Sequence, residues 1–348
     1  MRRRTLLKGV AGCASAMYMP ACATTEDGAP IGGAIRPGAI DSFVDAARRV
    51  ERLNAIVVMQ RGKVIAAEAF RGPPVAQPVN VKSVSKSVVA ALVGCAIERK
   101  LLMGIETTLG EAAPELLPAN ADPRVAELSV GDFLTMRIGL ERQSGRNYGR
   151  WATSEDWVRY ALTRPFSAEP GGRMLYSTAG WHVLGAMLAG VSGQSLLELS
   201  REWLGKPLDI EFAPWTRDPQ GRYLGGNEMS MSPLEMVRFG ELYRLGGRWN
   251  GERVLHDKWV SQSFVPRTIS PWSNDAYGYG WFLRPMAERF VAFARGYGGQ
   301  LIHVIPQAEL VVAMTSGTSK AARSGEYVAT LHGLVENQLL GTQERDDV

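Results

Sequence analysis

Thiols and imidazoles are scarce in this chain. The cysteines are Cys13, Cys22 and Cys95, and the histidines are His182, His256, His303 and His332. No Cys-x-x-Cys or His-Glu-x-x-His spacing occurs among them, which argues against zinc-ribbon, dithiol-redox and zincin chemistry. The histidines read as structural, and no metal is expected. Long apolar runs are also missing: none reaches the ~18–20 residues that span a bilayer. A real charge excess is lacking too. The formal net charge is +4, but Arg2, Arg3, Arg4 and Lys8 precede the first acidic residue, Glu26. The remaining body is close to neutral, so nothing electrostatic points to nucleic acid as a partner. Neither a Gly-x-Ser-x-Gly elbow nor a Gly-x-x-x-x-Gly-Lys-Ser/Thr phosphate loop is present.

The basic N-terminus has its own reading. Arg3-Arg4-Thr5-Leu6-Leu7-Lys8 resembles a twin-arginine export signal, and Ala21-Cys22-Ala23 is a small-x-small cleavage site. An ordinary secretory signal is the alternative. Met19-Pro20-Ala21-Cys22 fits a lipoprotein box poorly, so a lipid anchor at Cys22 is a weaker option. The expected location is periplasmic or otherwise exported. With residues 1–23 removed, Cys95 alone remains and no internal disulfide can form. Residues 24–38, rich in Gly, Ala, Thr and Pro, read as a linker.

Patterning gives the elements. Residues 41–52 have helical apolar spacing. Residues 55–59 and 64–67 flank Gln60-Arg61-Gly62-Lys63 as a hairpin. Residues 86–98 are apolar nearly all round, as in a buried helix. Helices are expected from Ser129, from Ser154 through Leu162, across 183–188, and from Ser232-Pro233-Leu234-Glu235, a capping-box start. Short β-type runs follow at 278–282, 290–293, 301–305 and 310–314, with a final helix over 326–339. Strands at both ends and helices between predict an α/β (α+β) fold, an antiparallel sheet with a helical insertion. The expected division is a sheet subdomain from 39–100 plus 275–345, a helical subdomain over 101–274, and an active site between them.

Ser83-Val84-Ser85-Lys86 is a Ser-x-x-Lys tetrad. A serine hydroxyl needs a base to become a nucleophile. Helical positions three apart share a face, so Lys86 can reach Ser83. The apolar helix that follows disfavours the ammonium and lowers the lysine pKa towards that of a useful base. Tyr176, in Tyr176-Ser177-Thr178, is a candidate to share the base role and later to protonate a leaving group. Alone, each of these matches is weak: Lys86 reads equally as a solvated helix residue and Tyr176 as a core tyrosine.

Five blocks in order carry more weight. SVSKSVVAALVGCAIERKLL, LSVGDFLTMRIGL, EPGGRMLYSTAGWHVLGAMLAGVSGQSL, GGNEMSMSPLEMVRFGELYRLGGRWNGERVL and ARGYGGQLIHVIPQAELVVAM cover roughly 40–340. Together they resemble the serine β-lactamase-related family of class C β-lactamases, DD-peptidases, esterases and 6-aminohexanoate-dimer hydrolases. The resemblance implies a β-lactamase/transpeptidase-like fold, catalytic Ser83, Lys86 and Tyr176, and no cofactor. It further implies an oxyanion hole from the backbone N–H groups of Ser83 and about Gln300. Two departures stand out. The family's Tyr-x-Asn is here Tyr176-Ser177-Thr178, and its Lys-Thr-Gly aligns with Tyr297-Gly298-Gly299. Gly298 and Gly299 are expected to let the strand approach substrate closely. Loss of the motif lysine removes a charge-assisted contact to a substrate carboxylate. Arg295 is a candidate replacement, with a surface role as the alternative.

The expected function is therefore an exported serine hydrolase acting on a small-molecule ester or amide substrate. β-Lactamase or DD-peptidase activity is one alternative, and a non-catalytic cell-wall-peptide binding module is another. Trp151, Tyr148 and Trp215 are candidate apolar contacts in the pocket, or else core and surface aromatics.

Overall fold

The computed structural model describes residues 35, 38–319 and 326–341. The expected leader and nearly all of the expected linker lie outside the described residues. Its longer helices are α1 (Ala39–Arg48), α2 (Ser85–Glu98), α3 (Thr178–Ser192), α4 (Pro233–Arg244) and α5 (Glu326–Leu334). One eight-stranded sheet contains β1 (Leu53–Gln60), β2 (Lys63–Ala69), β3 (Thr268–Ile269), β4 (Ala276–Tyr277), β5 (Phe282–Met286), β6 (Arg289–Gly296), β7 (Gln300–Ile305) and β8 (Leu310–Ser316). The spatial order is β2-β1-β8-β7-β6-β5-β4-β3, antiparallel throughout. β1 lies against β8, so the first and last strands of the sheet pair with each other, one strand in from its β2 edge. The sheet also takes in β3, ahead of residue 275.

Central strands carry apolar side chains on both faces because helices cover both. β7 and β8 are buried at every position. Ile302 and Val304 lie against Gly240 of α4 on one face. His303, between them, turns to the other face and meets His332 of α5 at 2.9 Å. β2, at the edge, alternates towards solvent.

The local signals act as their chemistry demands. Ser129 and Ser232 each close a capping box, with Asp132 and Glu235. The helix expected from Ser154 begins instead at Trp157, capped by Asp156, while the Ser154 hydroxyl donates to the Trp151 carbonyl at 2.7 Å. The run 278–282 is mostly not a strand. Gly278 to Trp281 form the turn between β4 and β5, closed by the Gly278 N–H to the Trp281 carbonyl at 2.9 Å. That turn docks on α2, where the Ser87 hydroxyl donates to the Gly280 carbonyl at 2.6 Å.

α2 is buried without a break from Ser85 to Ala96. A two-residue ladder, Val79–Asn80 with Ser230–Met231, ties the segment before it to residues 226–231. The start of α2 is thereby held between β6 on one side and the 226–231 segment on the other.

Candidate active site

Ser83 lies in a single 3-10 turn, Lys82–Val84, that leads directly into α2. One helical turn on, the Lys86 ammonium donates to the Ser83 hydroxyl at 2.9 Å. The same nitrogen donates to the Gly226 carbonyl at 2.6 Å. Burial pushes the Lys86 pKa down to about 7. Lys86 can therefore hold or release a proton near neutral pH, as a general base requires.

Tyr176 closes the group. Its ring centroid is 5.0 Å from the Lys86 nitrogen, and its residue immediately precedes Ser177, the N-cap of α3. Burial raises the phenol pKa, while hydrogen bonding to Ser83 and the positive charge of Arg295 act the other way. The net direction is upward. Burial thus favours the neutral phenol, which can serve as a proton donor.

Thr178 does not reach Lys86. Its hydroxyl pairs with Ser144 at 3.0 Å, and Ser144 also accepts from the Thr178 N–H at 2.9 Å. The lysine contact that an asparagine amide could make at that position is made here by the carbonyl of Gly226. A β-carbon at residue 226 would sit 2.8 Å from Trp181 Cβ, so only glycine lets this loop come so close to α3. Behind the loop, the Gly225 N–H points to His182 Nδ1 at 3.5 Å, and His182 Nε2 pairs with Asp218 at 3.1 Å, both side chains fully buried.

The expected third motif falls elsewhere. The glycine beside the Ser83 turn is Gly296, at the end of β6. A β-carbon there would lie 2.2 Å from the Val81 carbonyl and 3.1 Å from Lys82 Cβ. Gly298 and Gly299 instead face Thr318 and Tyr327, on the far side of the β6–β7 hairpin. The Gln300 side chain is occupied at the end of β8, donating to the Ser316 carbonyl at 2.8 Å and accepting from its N–H at 3.2 Å. The motif therefore sits at Ala294-Arg295-Gly296, with exposed Tyr297 next. Paired glycines suggested close approach, but a single glycine provides it. Arg295 is half-buried and interacts electrostatically with Tyr176 and Asp275.

Sequence reasoning also missed a brace around Ser83. Lys82 adopts a left-handed conformation, φ 53°. Its N–H donates to the Asn80 side chain at 2.9 Å, and its ammonium pairs with Glu228 at 3.0 Å. Asn80 also donates to Glu228, itself left-handed at φ 70°. Such conformations persist where surrounding contacts hold them. Of the candidate pocket aromatics, Trp151 is a core residue, fully buried with its N–H on the Trp157 carbonyl. Trp215 is half-buried and donates to the Leu224 carbonyl. Tyr148 reaches Asn227, the neighbour of Glu228, at 3.5 Å. A cleft of about 570 Å³ lined by Arg201, Asp209 and Arg238 contains none of the candidate residues.

A broad antiparallel sheet, with a serine–lysine turn wedged between its sixth strand and the 226–231 segment, defines the class of β-lactamase-fold serine hydrolases. The chain belongs to the Beta-lactamase family, whose profile matches residues 46–336. D-alanyl-D-alanine-carboxypeptidase/endopeptidase AmpH of Escherichia coli (strain K12) is 26% identical over 189 residues, 46% of this chain and 49% of that protein. The chain thus spans about half the length of the curated relatives it matches. Among solved structures, a candidate 6-aminohexanoate-dimer hydrolase from Bacillus anthracis superposes with TM-score 0.69 at 16% identity, over 86% of this chain and 80% of that one. EstCE1, a hydrolase with promiscuous acyltransferase activity, does so with TM-score 0.68 at 19% identity, over 86% and 97%. These likenesses establish a β-lactamase/transpeptidase-like fold.

Proposed function

We propose that the chain is an exported serine hydrolase that cleaves ester or small amide bonds through an acyl-enzyme on Ser83. The observation that carries this reading is the 2.9 Å contact between Lys86 and Ser83, made by a lysine whose burial brings its pKa to about 7. Neutral Lys86 takes the Ser83 proton as the oxygen attacks the carbonyl. The backbone N–H groups of Ser83 and of Tyr297, the residue that follows the third motif, hold the oxyanion. Tyr176 passes a proton to the departing alcohol or amine and recovers one from Lys86. Lys86 in its turn takes a proton from water as that water attacks the acyl carbon, and returns it to the Ser83 oxygen as the acid departs. The export half of the proposal rests on the leader sequence alone.

Ser83→Ala is expected to abolish p-nitrophenyl acetate and butyrate turnover, with the circular-dichroism spectrum and melting temperature retained. Persistent turnover in that variant would sink the assignment. A fluorophosphonate probe separates the enzyme from a binding module, which has no activated serine to label. The partial likeness to AmpH favours DD-peptidase activity as a second reading. Against it stands the absence of a lysine at the Ala294-Arg295-Gly296 motif. Nitrocefin turnover is therefore expected to be slow, and rapid turnover would reverse the order of the two readings.

A further inference from the structure

Trp272 is 55% exposed although it lies beside the reacting groups. It stands on the Ser270–Asp275 loop, which its own hydrogen bonds hold: Ser270 N–H to the Asp275 carbonyl at 2.8 Å and Asn274 N–H to the Ser270 carbonyl at 3.0 Å. Its ring meets the Tyr176 ring edge-on, with centroids 6.4 Å apart and planes at 88°. The Arg142 guanidinium lies over the indole, 4.8 Å from its centroid. Arg142 belongs to a segment fixed next to Tyr176, because the neighbouring Gln143 N–H donates to the Ser177 hydroxyl at 3.1 Å. Among the described residues Arg142 forms no ion pair.

An indole held on two sides yet more than half in water leaves apolar surface for a ligand to cover. A guanidinium without a carboxylate partner beside it attracts an anionic, planar group, for which its geometry is suited. Tyr176 is the group that protonates the leaving atom in the mechanism proposed above, so what stands against Tyr176 stands on the leaving-group side. We infer that Trp272 and Arg142 form the leaving-group subsite, which takes a planar aromatic alcohol or amine carrying a carboxylate. This rests on the proposed acyl-enzyme reading for the side of the substrate, but not for the existence of the subsite.

Three acetate esters share one acyl group and have similar leaving-group reactivity: propyl acetate, benzyl acetate and 4-carboxybenzyl acetate. The kcat/KM values are expected to rise in that order. Trp272→Ala should lower kcat/KM for benzyl acetate roughly three- to tenfold more than for propyl acetate, the range expected of an aromatic contact. Trp272→Phe should restore much of the difference. Arg142→Gln should remove the advantage of the carboxylate, and added salt should erode it in the unaltered protein. Equal losses on all three esters in both variants would overturn the inference. Turnover surviving in Ser83→Ala would instead strike the acyl-enzyme reading. If none of the esters is turned over, binding of 4-carboxybenzyl alcohol to the Ser83→Ala protein by calorimetry decides. Weaker binding on adding Trp272→Ala supports the subsite, and unchanged or undetectable binding overturns it.

Discussion

At the scale of single residues, Lys86 sets function against stability. Its pKa falls from 10.5 to about 7 on burial. Between those values the unfolded chain holds a proton that the folded chain releases, so this residue's contribution to stability improves as pH rises from 7 to 10.5. At neutral pH its burial is a cost. Lys86→Met should therefore abolish turnover while stabilising the fold by on the order of 2 kcal/mol at pH 7, after allowing for the Gly226 carbonyl it leaves unpaired. The gain should vanish above pH 10.5, and melting curves at both pH values check it. In the unaltered enzyme, kcat/KM should rise with pH through a single ionisation near 7, because the neutral amine is the active base; a flat profile across pH 6–8 would remove Lys86 from that role. The Ser83–Lys86 pair was legible because its members are three residues apart in a turn that runs directly into a helix. The Gly226 carbonyl was not, for it comes from 140 positions away and has no side chain to advertise it. Trp272 and Arg142 were invisible for the same reason: only the folded chain brings their loops to Tyr176.

At the scale of elements, the end of β6 is the part that packs against the Ser83 turn. Gly296 has no left-handed backbone, so its glycine is required by space alone. Gly296→Ala must push the strand off the Val81 carbonyl. It should cost about 1–3 kcal/mol in denaturant melts and lower kcat by displacing Ser83, whereas an unchanged kcat would show that β6 does not support that turn. The sequence pattern foretold β6, β7 and β8 and the chain's buried helix, since these follow from apolar periodicity. It misplaced the third motif because Gly298-Gly299 is a hairpin signal as well as an approach signal, and here the hairpin claims it. The aromatic run at 278–282 misled in the same manner. Its rings are buried, but its backbone is turning.

At the scale of the whole molecule, acid should loosen the sheet from α5. His303 and His332 meet in the core, with Phe293 packed on both rings. Burial pushes His303 down to about 3, and His332 well below its ordinary value, with Arg284 and Arg295 adding positive charge nearby. Both are neutral when folded and protonate when unfolded. The stability they contribute is complete above pH 6.5 and is lost as pH falls below it, down towards about 3 for His303. Melting temperatures between pH 7 and 4 should fall steeply, and less so in His303→Leu. The pairing of the sheet's first strand with its last has a further consequence, in time instead of space. β1 pairs with β8, which the ribosome reaches about 250 residues later. At roughly 5–20 residues per second, the early hairpin waits on the order of 10–50 s for its neighbour. Through that interval its most apolar strand has an open edge, so a chain cut short before Leu310 is a seed for aggregation rather than a smaller enzyme.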